Sequence, residues 1–416
     1  MHDYGIRISG DVVTYIERSL GKVIRKAAGE FPAVVLTGPR QSGKTTLLRH
    51  LFRETHRYVS LEPPDVRAAA TEDPRSFLEL NSPPVIFDEV QYVPGLLPYI
   101  KERIDARRGK AGQYLLTGSQ NLLLTEKVTE SLVGRTAMLR LLPLSYKEIS
   151  KTPQAAFPWE RGASPKRHRH AFGPLWESFL RGGYPELSAH PKRDAGLWHS
   201  SYVQTYLERD VRGLRQIGDL TQFQAFLRAL AARSAQLFNV TDLARDLGLA
   251  VNTVKAWISV LEATYQVIIL RPYFRNVGKR LVKTPKVYFG DVGTLCYLAG
   301  LKDAKHAMSG PMGGAIFETA VVGEMARRLS GRGEQPQLYF WRTSAGVEVD
   351  LVIETAGKLI PIEVKSSATP DRSMAKNIES FRKDLGGSAE KGYVVHPGDV
   401  TLPLGPDAVA LPFTDL

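Results

Sequence analysis

Residues 38 to 45 read Gly-Pro-Arg-Gln-Ser-Gly-Lys-Thr, which fits the spacing G-x-x-x-x-G-K-[ST] without a mismatch. Gly38 and Gly43 permit a tight turn. Pro39 would shape that loop, the backbone of Arg40, Gln41, Ser42 and Thr46 would point N–H groups at phosphates, Lys44 would reach the β/γ-phosphates and Thr45 would hold Mg²⁺. The nucleotide this implies is ATP. Further on, Pro84-Val85-Ile86-Phe87-Asp88-Glu89 is an apolar strand ending in two carboxylates. Asp88 would hold the metal and Glu89 would polarise the attacking water. Either motif alone also reads as ordinary turn or surface chemistry; both in this order do not. A third strand, Tyr114 to Gly118, ends at Ser119, whose hydroxyl would sense the γ-phosphate or simply belong to a turn.

A second group of reactive side chains lies near the C-terminus. Glu363 and Lys365 are two apart on a strand-like run and share a face. Asp350 lies on the preceding strand, across the short turn Glu354 to Lys358, and Glu318 lies on a helix-like stretch, Ile316 to Leu329. Carboxylates from Glu318, Asp350 and Glu363 would bind Mg²⁺, with Lys365 offsetting charge at a phosphate. An exposed hairpin with ordinary Asp, Glu and Lys is the plain alternative.

These groups need elements to position them. Alternating apolar strands around Val34, Val59, Val85 and Leu115 with helical stretches between predict a mostly parallel sheet. The period over Asp11 to Ala28 predicts a helix beside it. Lys151 to Pro174 is a basic, Pro- and Gly-containing stretch with Lys166-Arg167-His168-Arg169-His170, read as a solvated loop, a DNA contact or a His site. Trp176 to Arg215 reads as helical, broken at Gly182-Gly183-Tyr184-Pro185. Leu243 to Gly248 followed by Val251 to Ile258 reads as helix-turn-helix, with Thr241 as N-cap. Asn252, Thr253 and Lys255 would face DNA from the second helix. Strand-like runs Gln266 to Tyr273 and Lys286 to Phe289 would form a wing, with Arg275, Lys279, Arg280 and Lys283 between them. The same unit also serves elsewhere as a protein-packing module. Ser309 to Gly314 reads as a flexible joint.

Composition sets the outer limits. The 416 residues exceed one compact core. With 43% hydrophobic and 24% charged residues the composition is that of a globular chain, with no apolar run near a membrane span. The single Cys296 excludes an internal disulfide framework, in keeping with a cytoplasmic setting. A net charge of +12 and a pI near 9.6 favour a polyanionic partner, DNA above all.

The C-terminal residues resemble the PD-(D/E)xK, restriction-endonuclease-like superfamily, with Val349-Asp350 in place of Pro-Asp. The N-terminal ones resemble AAA+-type P-loop ATPases. Together they resemble a prokaryotic ATPase family that joins such a core to a winged helix and a nuclease-like domain. The likeness runs through Thr37 to Thr45, Phe87 to Gln91, Leu116 to Gln120, Ser131 to Arg135, Gly182 to Pro185, Glu348 to Asp350 and Ile362 to Lys365. It implies that Arg135 is an arginine finger or sensor, although the residue alone reads equally as a surface ion-pair arginine. The expected chain is α/β. It would comprise a P-loop AAA+ parallel-sheet core with an N-terminal helix (1–150) and a basic loop and helical connector (151–215). A winged helix-turn-helix (216–300) and a PD-(D/E)xK α/β domain (301–416) would follow. Three functions fit: an ATP-hydrolysing protein acting on DNA with a Mg²⁺-dependent nuclease domain, an ATP-switched DNA binder that does not cut, or a signalling ATPase that binds protein. Self-association into a homo-oligomer is left open.

Overall fold

The computed structural model describes residues 6–8, 11–13, 15–107, 109–119, 131–160, 172–207, 220–274 and 283–416. Strands β1 (Ala33–Thr37), β2 (Arg57–Ser60), β3 (Val85–Asp88), β4 (Tyr114–Gly118) and β5 (Thr136–Arg140) build the first sheet. Their order is β2-β3-β4-β1-β5, and every neighbouring pair is parallel. Continuous apolar runs suit strands covered on both faces. Ala33, Val35, Phe87 and Leu116 pack into one layer, whereas Val34, Leu36, Ile86 and Leu115 pack into the other. That second layer takes in helices α1 (Gly21–Glu30) and α2 (Lys44–Phe52) through Ile24, Leu47 and Leu48. Because β1 lies between β4 and β5, with β3 just beyond β4, its C-terminal end opens on the same side as those of β3 and β4, the place where open parallel sheets bind ligands.

The helix expected over Asp11 to Ala28 forms only from Gly21, and Asp11–Val13 pairs instead with Ile6–Ile8 as a short antiparallel hairpin. β-branched Val12 and Val13 suit a strand better than a helix. The non-helical residues that follow carry Arg18 inward. Its Nη1 donates to Ser42 O at 2.8 Å, its Nη2 to Leu142 O at 2.6 Å and its Nε to Glu148 Oε1 at 3.2 Å. Glu148 belongs to the short helix α3 (Tyr146–Ile149), closed by a reciprocal capping box with Ser145. Its carboxylate also accepts from Ser19 N at 2.7 Å and Ser145 N at 2.9 Å.

Among the described residues the second sheet has nine strands. They are β6 (Gln236–Leu237), β7 (Val267–Pro272), β8 (Lys286–Phe289), β9 (Leu338–Arg342), β10 (Glu348–Thr355), β11 (Lys358–Val364), β12 (Gly392–His396), β13 (Leu402–Pro403) and β14 (Ala408–Pro412). They run in the order β13-β14-β12-β11-β10-β9-β7-β8-β6. Strands β7 and β8, the two expected to form a wing, make an antiparallel pair, and β7 lies parallel to β9. The sheet therefore continues across residue 300, and one hydrophobic core extends from Phe157 to Leu416. Helices α4 (Val240–Leu247) and α5 (Val251–Ala263) make the helix-turn-helix, with Gly248 left-handed between them. Asn239, not Thr241, caps α4: its side chain accepts from Thr241 N at 2.9 Å. The stretch expected to be a flexible joint is only a three-residue turn between two helices, since Ala304–Ser309 forms a helix and α6 (Gly313–Gly331) begins four residues later. Gly313 serves close packing there, because a Cβ on it would lie 2.4 Å from Met308 O.

Replacing Arg18 with Met should destabilise the protein by about 3–5 kcal/mol, as it leaves the Glu148 carboxylate buried without its cation. Urea denaturation followed through the tryptophans measures this. A change below about 1 kcal/mol would mean that the pair does not hold the fold.

Candidate nucleotide site and terminal carboxylate cluster

The loop between β1 and α2 is shaped by its glycines. Gly38 has φ of 148°, and a Cβ there would lie 2.0 Å from Leu141 O. Lys44 curls over the loop, its Nζ donating to Gly38 O at 3.0 Å and Pro39 O at 2.9 Å. Ser42 Oγ is buried and unpartnered, a hydroxyl facing the loop with nothing of the protein to bond. Pro39 is buried, Arg40, Gln41 and Gly43 are half-buried, and Thr46 is exposed.

Asp88, at the end of β3, gathers three hydroxyls. Thr45 Oγ1 donates to Oδ1 at 2.8 Å, Tyr58 Oη to Oδ2 at 2.8 Å, and Thr117 Oγ1 to Oδ1. Burial and the Asp88 charge push the Tyr58 hydroxyl well up, so it stays protonated and donating. Glu89 is left-handed at φ 59°. Its carboxylate accepts from Gln91 Nε2 and, at 3.2 Å, from Ser119 Oγ, while its N–H donates to Thr117 Oγ1 at 3.1 Å. The structure thus gathers Thr45, Asp88, Glu89 and Ser119 at one sheet edge beside Lys44. Arg135 is elsewhere. Its carbonyl accepts from Ala33 N, at the opposite end of β1 and roughly 15 Å away by strand rise. Its guanidinium forks onto Asp105 at 2.7 and 3.0 Å.

Sequence reasoning does not find Tyr58, Thr117 or Gln91. Tyr58 lies on the neighbouring strand, opposite Ile86, so only the strand order, which no local pattern carries, brings it to Asp88. The core also touches the rest of the chain here. Thr37 Oγ1 and Tyr265 Oη are 3.0 Å apart, and a Cβ on Gly43 would lie 3.7 Å from Pro185.

In the second sheet the register Leu351↔Ile362 sets Asp350 beside Glu363 one step further on. Asp350 Oδ2 accepts from Val364 N at 2.8 Å. Glu363 Oε1 accepts from Lys365 Nζ at 2.7 Å and Asn377 Nδ2 at 3.0 Å, whereas Oε2 is buried and unpartnered. Burial, then the Asp350 charge, raise the Glu363 carboxyl to about 8, against the pull of Lys365. Asp350 is raised by burial, with Lys286 opposing. Glu318, on α6, is engaged differently: its Oε1 accepts from Lys286 Nζ at 2.9 Å and Tyr288 Oη at 2.6 Å. Burial and Asp350 lift it to about 7, and Lys286 holds it down. Lys286 also pairs with Glu348 and lies 4.0 Å from Asp350. Among the described residues no three His, Cys, Asp or Glu side chains converge as a metal site. The donors fit one ion through two carboxylates, Asp350 and Glu363, with the unpartnered Glu363 oxygen as its opening.

Lys286 and Tyr288 enter the sequence reading only as part of a wing strand. Their i, i+2 spacing on an otherwise apolar run is the available signal, since it puts two polar groups on one face. On the helix-turn-helix, Asn252 and Lys255 are exposed and Thr253 is half-buried; Lys283 is exposed. Lys279 and Arg280, with the Lys166 to His170 run, lie outside the described residues. No described helix is long and apolar enough to cross a membrane.

A family profile described as an AAA domain matches residues 30–150. Residues 174–305 and 313–416 match two domains of unknown function, DUF8612 and DUF4143. The chain is 32% identical over 393 residues to the uncharacterized protein Rv2008c of Mycobacterium tuberculosis, spanning 94% of this chain and 82% of that one. To the uncharacterized protein MJ1544 of Methanocaldococcus jannaschii it is 22% identical, over 84% of this chain and 79% of that one. Among solved structures, the Walker-type ATPase PABY2304 of Pyrococcus abyssi superposes with a TM-score of 0.41 at 16% identity, over 67% of this chain and 94% of that one. By its identity to Rv2008c along nearly its whole length, the chain belongs to the family of that mycobacterial protein, with an AAA-type ATPase core at residues 30–150.

Proposed function

We propose that this chain binds and hydrolyses ATP and uses the nucleotide state to control action on DNA by its middle and terminal parts. The observation that carries the reading is the grouping of Thr45, Asp88, Glu89 and Ser119 beside the phosphate loop. Mg²⁺ bound with the nucleotide would offset phosphate charge, held through Thr45 and Asp88. Lys44 reaches the β/γ-phosphates, and Glu89 polarises the attacking water. Ser119 and Gln91, which restrain Glu89 here, can bond a γ-phosphate instead and release the carboxylate. The pairing of Arg135 with Asp105 favours its reading as an ion-pair residue within its own subunit.

The terminal part acts as a phosphodiester-directed module in this reading, with Asp350 and Glu363 holding one divalent ion and Lys365 at the phosphate. Such an ion would activate water and stabilise charge on phosphate. The exposed Lys255 and Lys283 and the net charge of +12 support a DNA partner. A protein partner for the same surfaces is the rival outcome of the binding test below.

Lys44→Ala should abolish ATP binding, since it removes the charge-assisted hydrogen bonds to the phosphates. Glu89→Gln should retain ATP yet slow hydrolysis by about 10²–10⁴-fold. Wild-type turnover in Glu89→Gln would remove it as the base. Neutralising Lys255 and Lys283 together should weaken binding to all duplexes alike and lower the salt slope by about one for each lysine that meets a phosphate. An unchanged slope sends these surfaces to a protein partner. Mn²⁺ should raise the melting temperature of wild-type protein without nucleotide, and Asp350→Ala should lose most of that shift. Equal shifts in both would demote the terminal part to a phosphate-gripping or structural role.

A further inference from the structure

We propose that Lys286 is a resident cation of the terminal cluster, standing where a second metal ion would otherwise bridge Glu318 and Asp350. The cluster then accepts one divalent ion, at Asp350 and Glu363. That single ion rests on the metal reading above; the role of Lys286 rests on geometry alone.

Three carboxylates surround the Lys286 ammonium. Glu318 is at 2.9 Å, Glu348 is in direct ion-pair contact and Asp350 is at 4.0 Å. The lysine side chain is only 5% exposed, so it cannot reach a nucleic-acid phosphate from this position. An ammonium has three N–H donors and no acceptor, which suits a pocket walled by acids. A buried charge persists only when paired, and each acid here has a second partner that fixes it in place. Tyr288 Oη donates to Glu318, Arg342 Nη1 donates to Glu348 at 2.7 Å, and Val364 N donates to Asp350. The aromatic face of Phe340 closes the pocket 5.6 Å from Nζ. A divalent ion between Glu318 and Asp350 would sit against this ammonium and be repelled by it. Lys365 pairs with Glu363 and not with these three acids.

The source of this lysine matters. It comes from β8 of the wing, outside the 313–416 segment that holds Glu318, Glu348, Asp350 and Glu363. A cluster of acids in one segment is thus balanced by a cation from another, and the terminal part is electrostatically incomplete without the wing.

The test counts Mn²⁺ ions bound to the full chain without nucleotide, by electron paramagnetic resonance, alongside melting temperatures. Any ion at the ATP site is common to all variants and cancels in the comparison. Lys286→Met should bind one more Mn²⁺ than wild type, melt lower without metal and regain stability with it. Lys286→Arg, which keeps the charge, should match the wild-type count. Glu318→Gln should also keep the wild-type count, because Glu318 serves Lys286 and not the ion. No additional ion in Lys286→Met, or the loss of an ion in Glu318→Gln, overturns the proposal. If Lys286→Met does not fold, Lys286→Gln, which removes the charge but keeps a polar group among the acids, takes its place: one more ion supports the proposal and an unchanged count overturns it. Asp350→Ala reports separately on the other site: an unchanged count there sinks the Asp350–Glu363 ion while leaving the Lys286 comparison readable.

Discussion

The guanidinium of Arg18 is the point on which the two halves of the molecule bear. It is buried, and burying a cation is costly unless it is paired and each of its nitrogens finds an acceptor. Arg18 meets that condition by reaching the phosphate loop at Ser42, the segment after β5 at Leu142, and Glu148 on α3. Glu148 is satisfied in turn by Ser19 and Ser145. From α3 the contacts pass onward: Tyr146 N donates to Glu324 on α6 at 2.7 Å, and Lys147 Nζ donates to Thr414 O at 2.6 Å. A residue that sequence reasoning assigns to an amphipathic helix thus ties the nucleotide loop to the last residues of the chain.

The nucleotide site is legible in the sequence because its chemistry is local. A phosphate loop needs glycines, a lysine and a hydroxyl within eight residues, and Asp88-Glu89 are adjacent, so short windows contain the requirement. The helix-turn-helix and the two strands after it are legible for the same reason, down to β8 at Lys286–Phe289. What the sequence does not carry is pairing across long separations. Tyr58 reaches Asp88 only through the order β2-β3, and Arg18 reaches Glu148 across 130 residues. The N-terminal helix is misplaced by the pattern because Val12, Val13, Ile16 and Leu20 satisfy a helical period by chance. The β-branched pair and the demand for a buried Arg18 outweigh it.

The terminal cluster shows the same limit from the other side. Asp350, Glu363 and Lys365 come together in the sequence because a short hairpin fixes their register. Glu318 is visible there as a residue but not as a partner. The cation it serves lies on a strand that reads as a DNA-binding wing, and the wing's place in the terminal sheet depends on the β7–β9 pairing. Residue types alone therefore suggest three acids awaiting metal, whereas the assembled sheet has already neutralised much of their charge with Lys286.

That joined sheet also constrains how a nucleotide could act at a distance. Thr37, at the end of β1, meets Tyr265 just before β7, and the ring of Tyr265 lies under Arg140, 4.7 Å from its guanidinium carbon. Gly43, the residue before Lys44, abuts Pro185 of the Gly-Gly-Tyr-Pro run. That run is held to the helix after the wing, since Gly183 N donates to Asp291 at 2.6 Å. The parallel sheet and its phosphate loop thus touch the rest of the chain directly, through the Thr37–Tyr265 hydrogen bond and the Gly43–Pro185 approach. A contiguous network is not itself coupling, which needs an element with two arrangements that both sites bias. The loop holds the group that a nucleotide would engage first. Lys44 is bonded to the carbonyls of Gly38 and Pro39 here, and a β/γ-phosphate would compete with them for the same ammonium. Ser42 O, which anchors Arg18, lies in the same loop, so any change of loop geometry on nucleotide binding acts first on the Arg18 network.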